Sequence, residues 1–165
     1  MPDELDSTFH EERGLELACA ADNTEFADER LGQLFNWWQG NRGDFLPLRS
    51  AFDIVQFKSL VPNIFLFKRK GPSDYEWILQ GEEVIALFGK TTKLSDLDER
   101  RQGEVDQLFH YYDTVLERKA CFVNNGNLNY VNKPSLSFQS IDCPISSDGT
   151  HADMIIGIIA AWSPE

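Results

Sequence analysis

The sequence predicts an α+β domain, an antiparallel sheet with helices on one face and a further helix flanking it at the N-terminal side. Three observations lead there. Apolar residues recur at intervals of three and four within residues 31–38 and again within 105–116, the spacing of amphipathic helices. Strand-like runs arrive first as a pair and later as a trio, with helical segments between them. The stretch from Met154 to Trp162 is apolar almost without interruption, as a strand covered on both faces must be, so it belongs at the centre of the sheet.

Residues 1–25 are acidic, with a short apolar patch at Leu15, Leu17 and Ala18, and read as a tail or a poorly ordered helix. A single domain then occupies 26–165. It opens on a helix over 26–39, with Leu31, Leu34, Phe35 and Trp38 on one side and Asp28, Glu29, Arg30, Gln33 and Asn36 on the other. Gly40 and Gly43 end it. An irregular stretch over 44–50 and a short helical turn over 52–60 lead to Pro62. Residues 64–67 and 75–79 form a hairpin across Gly71-Pro72-Ser73-Asp74. A short helix over 82–88 stops at Gly89, a polar link covers 90–96, and a long helix runs over 99–119. Asn124-Asn125-Gly126-Asn127 reads as a hairpin turn between 121–123 and a partner beginning near Leu128, because Asn and Gly accept positive φ. A strand over 135–144, the turn Ser146-Ser147-Asp148-Gly149 and the apolar run Met154–Trp162 close the chain.

The bulk numbers narrow the function. With 165 residues, 42% of them hydrophobic and 12% aromatic, the chain can bury a real core. Its 27 acidic residues against 15 basic ones leave a formal charge of −12, which repels phosphate backbones and anionic lipid. Nucleic acid and membrane are therefore not expected partners. No apolar run reaches the ~20 residues of a membrane helix, and no basic segment precedes an apolar one at the N-terminus, so a cytoplasmic location is expected. Cys19, Cys121 and Cys143 are far apart and odd in number, and read as reduced, packed thiols rather than a disulfide framework.

The order of elements is that of PAS domains, in which the last of five antiparallel strands is central and helices cross one face after the second. More specifically, the chain resembles a bacterial family of small, often stand-alone PAS-like proteins. The resemblance rests on Phe45-Leu46-Pro47-Leu48-Arg49-Ser50 with Phe52-Asp53, on Leu60-Val61-Pro62-Asn63-Ile64-Phe65-Leu66, and on Trp77-Ile78-Leu79-Gln80-Gly81. It extends through Phe88-Gly89-Lys90 with Thr92 to Met154-Ile155-Ile156-Gly157. Two positions depart from the pattern: Trp77 or Ile78 stands where an Arg is expected, and Gly81-Glu82 where Gly-Thr is expected. The resemblance implies sensing or protein–protein regulation, with a small molecule in some members, and a homodimer formed through the N-terminal helix. It implies no reaction. With no residues left for an effector domain, output would pass through a partner protein.

Phe65, Trp77, Phe88 and Phe138 are candidates to line a cavity between sheet and helices, although core filling is the favoured account of aromatic residues at such positions. His110 joins them because the long helix supplies the iron ligand in haem-binding members; Asp106 and Asp113 beside it point instead to a solvated histidine. A flavin adduct needs a positioned thiol, and no cysteine lies in such a motif. No cofactor is evident, and His10, His110 and His151 show no metal-ligand spacing. Phe88-Gly89-Lys90-Thr91-Thr92 imitates the end of a phosphate loop, but Val84 stands where that loop needs its first Gly. Asp96, Asp98 and Glu99 are accounted for as carboxylates at a helix N-terminus. Leu34, Phe35, Trp37 and Trp38 are candidates for dimerisation, since adjacent tryptophans on one helix do not both point fully inward; such a helix would either cover the outer face of the sheet or pair with its copy. Two alternatives stand beside the sensory reading. One is a small enzyme with a cone-shaped α+β fold, in which a buried acid such as Asp142 faces a deep apolar pocket. The other is a constitutive interaction domain whose cavity is filled by side chains.

Overall fold

The computed structural model describes residues 16–19, 25–72, 74–89, 102–128 and 133–163. In chain order the elements are β1 (Glu16–Cys19), α1 (Glu29–Asn41), β2 (Ile64–Gly71), β3 (Asp74–Gln80), α2 (Glu82–Phe88), α3 (Gln102–Arg118), β4 (Phe122–Leu128), β5 (Lys133–Ile145) and β6 (Met154–Trp162). Two 3₁₀ turns, Arg49–Ala51 and Lys58–Asn63, take the place of the helical turn expected over 52–60. The polar link, the charge run Asp96, Asp98 and Glu99, and the start of the long helix lie outside the described residues.

The sheet is antiparallel throughout, in the order β1-β4-β5-β6-β2-β3. The expected five strands are joined at one edge by β1, which pairs with β4 through Ala18 opposite Val123 and Cys19 opposite Phe122. That segment was expected to be tail or helix. β6 lies between β5 and β2, and its first seven residues are all buried, as its unbroken apolar run requires.

Covering both faces explains the two-sided burial. Phe65, Phe67, Phe122, Phe138, Ile155 and Ile159 point to one face and pack with α2 and α3. Ile64, Leu66, Val123, Ile141, Ile156 and Ile158 point to the other and pack under α1. The period-2 alternation along each strand sorts neighbouring residues between these two layers. Gly157 shows how close the packing is. A Cβ there would lie 2.2 Å from Phe65 Cζ and 2.6 Å from the Ile141 carbonyl oxygen, so the Phe65 ring lies directly over bare backbone.

α1 begins at Asp28, whose carboxylate accepts from the Arg30 N–H at 2.9 Å and satisfies one free donor of the first turn. Trp37 and Trp38 are both buried, contrary to the expectation for adjacent residues. The reason is a second layer outside the helix. Trp37 meets Phe52 edge-on at 5.1 Å, and Phe52 stacks on Phe57 at 5.1 Å. Trp38 turns toward the sheet and donates from Nε1 to the Pro144 carbonyl at 2.7 Å. Leu34 and Phe35 are equally enclosed. All four proposed dimerisation residues are thus spent on the chain's own core, and α1 offers a second copy no apolar face through them.

The turn expected at Asn124-Asn125-Gly126-Asn127 is absent from that place. These residues run straight through β4, with Asn124 opposite Ser140 and Gly126 opposite Phe138. Pairing with strands on both sides outweighs the local turn preference of Asn and Gly. Among the described residues, no helix is long and apolar enough to cross a membrane.

Candidate ligand-binding site

Four of the five predicted cavity residues meet in one aromatic layer under α2 and α3. Phe65 and Phe67 lie 5.4 Å apart on β2, Phe67 meets Trp77 at 4.2 Å, and Trp77 meets Phe88 at 6.2 Å. Phe138 belongs to the same cluster from β5, and α3 adds Phe109, Tyr111 and Tyr112. Trp77 Nε1 is buried without a hydrogen-bond partner among the described residues, a donor free to meet an acceptor on a ligand or a water. His110 is exposed on α3 and takes no part in the layer. The imidazole therefore does not project where a haem between sheet and helices would need it. Gly89 closes α2, its N–H donating to Ile85 at 2.7 Å, so the phosphate-loop imitation around it is a helix end.

At the centre of this face sits Asp142, 1% exposed. Its Oδ2 accepts from Tyr111 Oη at 2.5 Å, from Asn124 Nδ2 at 3.2 Å and from Ser140 Oγ at 3.3 Å. Burial raises its pKa to about 7, and the three donors pull in the opposite direction without prevailing. Burial likewise raises the Tyr111 hydroxyl well above its usual range, with the Asp142 charge adding to it. Asn124 Oδ1 has no partner among the described residues. The sequence singles out Asp142 but not its companions. Ser140 shares its face by the strand period, and Tyr111 lies three residues after Leu108 and four before Val115, a spacing that would have placed it on the α3 stripe.

Among the described residues, clefts open beside this layer at two places. The larger, about 700 Å³, lies between the start of α1, α2 and the end of β6. Leu87, Leu136 and Ala161, which pack on the aromatic layer, form its inner wall; Asp28, Arg30, Glu82 and Glu83 stand among its lining. Arg30 is held there by the Asp28 carboxylate at 2.6 Å and by Asn63 Oδ1. Its volume lies within the range of small-molecule sites. None of the five predicted cavity residues lines it, although Leu87 and Leu136 are near neighbours of Phe88 and Phe138 in sequence. The smaller cleft, about 300 Å³, lies beyond the end of α3 among Phe45, Arg69, Asp113, Lys119 and His151. Asp142 lines neither of these two clefts. Among the described residues no group of three or more His, Cys, Asp and Glu is placed to hold a metal.

An antiparallel sheet with its last strand central, two helices crossing one face and an aromatic layer beneath them defines a small α+β module of the expected architecture. The family model described as PAS domain matches residues 27–160, and the chain belongs to that family. No curated protein matches the chain. The family is one of sensory and regulatory modules in general.

Proposed function

We propose that this chain is a non-catalytic, cytoplasmic PAS module that holds a small molecule and changes its pairing with itself or a partner protein when it does so. The observation that carries the reading is the 700 Å³ cleft set against the aromatic layer of a PAS fold. The apolar inner wall supplies transfer energy, while Arg30 and the carboxylates beside it select polar groups at the ligand's outer end. A homodimer, on this reading, forms through surfaces other than the buried apolar side chains of α1.

A thermal-shift screen of small metabolites against the purified chain tests it, since a ligand held only by the folded state raises the melting temperature with concentration. A hit whose shift is lost in Leu87→Trp, which fills the cleft, supports the reading. A hit whose shift survives that substitution, or a screen without hits, counts against it.

A further inference from the structure

On the α1 face of the sheet, Cys121 and Cys143 form a pair that the sensory reading does not use. Phe122 lies opposite Asp142 in the β4–β5 register, so the next position outward sets Cys121 opposite Cys143. Both belong to the layer under α1 and both are buried, at 1% and 0% exposed. Directly opposed residues on antiparallel strands have Cα atoms about 4.5 or 5.5 Å apart, and either value suits a disulfide. The two thiols are near enough to act on one another: after burial, the neighbouring Cys143 is the next influence raising the Cys121 thiol. Separation in sequence hides this, and strand pairing creates it.

We propose that Cys121 and Cys143 are a redox-active pair that forms a reversible cross-strand disulfide under peroxide, with α1 controlling access. The oxidant takes one sulfur to a sulfenic acid with loss of one water. The second thiol then attacks that sulfur, the S–S bond forms, and the hydroxyl leaves with the thiol proton as a second water. In sum, two thiols and one hydrogen peroxide give one disulfide and two waters. Any thiol reductant reverses it.

The last turn of α1 is the cover. Trp38 is anchored by its bond to the carbonyl of Pro144, the residue after Cys143, and the Arg42 guanidinium lies 5.0 Å from the Trp38 ring centroid. Burial raises the Cys121 thiol and keeps it protonated, hence slow to react while α1 is docked. Lifting the end of α1 admits solvent and oxidant together. The pair is inert in the closed domain and responsive when the helix loosens, which couples redox state to the docking of α1 rather than to the aromatic face.

The test uses the purified full chain carrying Cys19→Ser, treated with hydrogen peroxide, then denatured, alkylated with N-ethylmaleimide and weighed without reductant. The expected result is loss of both alkyl labels in monomeric protein, restored by dithiothreitol, with a peptide joining 121 to 143; peptide mapping of the wild-type chain gives the same linkage. Cys143→Ala in the same background should leave Cys121 unable to form an intramolecular bridge. Trp38→Phe keeps a ring but removes the bond to Pro144, and is expected to speed label loss while circular dichroism stays native. Retention of both labels, over-oxidation without a bridge, or disulfides only between chains overturns the pair. An unchanged rate in Trp38→Phe overturns the control by α1.

Discussion

Tyr111 Oη donates to Asp142 Oδ2 at 2.5 Å, joining the middle of α3 to the C-terminal part of β5 through a carboxyl group that is 1% exposed. The helix and the sheet are thus tied at one polar point inside an otherwise aromatic layer. The charge state of Asp142 decides how favourable that tie is.

The pH dependence of stability follows. The folded-state pKa of Asp142 is raised to about 7, against an ordinary value of 3.8. Between those values the folded chain holds a proton that the unfolded chain has released, so stability falls as pH rises, by about 1.4 kcal/mol per pH unit from this group. The contribution is fully present below about pH 4 and gone above about pH 7. Denaturant melts at several pH values should show that downward slope superposed on the other titrations. Asp142→Asn should flatten it, its amide finding an acceptor in the otherwise unpartnered Asn124 Oδ1.

Tyr111→Phe removes the shortest of the three donors to Asp142 while keeping the ring against Phe122 at its 6.3 Å centroid spacing. A charged buried carboxylate deprived of a donor is destabilised by about 2 kcal/mol. The loss should be larger above pH 7 than below it, where the neutral acid needs the donor less. Urea melts of the variant and the wild type at pH 5 and 8 would measure the difference.

Gly157→Ala is expected to destabilise by about 3 kcal/mol, because a methyl there overlaps the Phe65 ring and the Ile141 carbonyl. Adding Phe65→Leu should recover part of that loss, the part due to the ring. No recovery in the double variant would place the strain on the backbone contact alone.

His151 donates from Nδ1 to Asp148 Oδ2 at 2.7 Å in the β5–β6 turn, and the carboxylate raises the imidazole pKa above its ordinary value. Asp148 is held well below its usual range by the N–H groups of Thr150 and His151 together with the imidazole. NMR titration of the His151 ring should show the raised midpoint, and Asp148→Asn should return it toward about 6.5.

Sequence periodicity was informative where local pattern and tertiary demand agree. The apolar run of β6 announced its central place, and α2 begins and ends where its pattern does, at Glu82 and Phe88. It misled where pairing at a distance decides. Asn124 to Asn127 carry strong turn preference, yet they form a strand because β5 pairs with all four and β1 with Asn124 and Asn125. β1 itself gives no alternation long enough to read, since it has four residues and exists through its partner. Trp37 and Trp38 are both buried because Phe52 and Phe57 return over the helix, a contact without a local signal. At the candidate site the aromatic residues were legible as a set. The Tyr111–Asp142 bond, the Cys121–Cys143 pair and the cleft walled by Leu87 and Leu136 arise only when helix and strands are brought together.

The central claim is that the chain senses by holding a small molecule and altering its pairing. Native mass spectrometry of the purified protein measures both halves at once. The account predicts a retained small molecule, or uptake of one found by the thermal screen, accompanied by a change in the proportion of dimer or of partner-bound chain. A monomer that takes up nothing and pairs with nothing under the same conditions would contradict it.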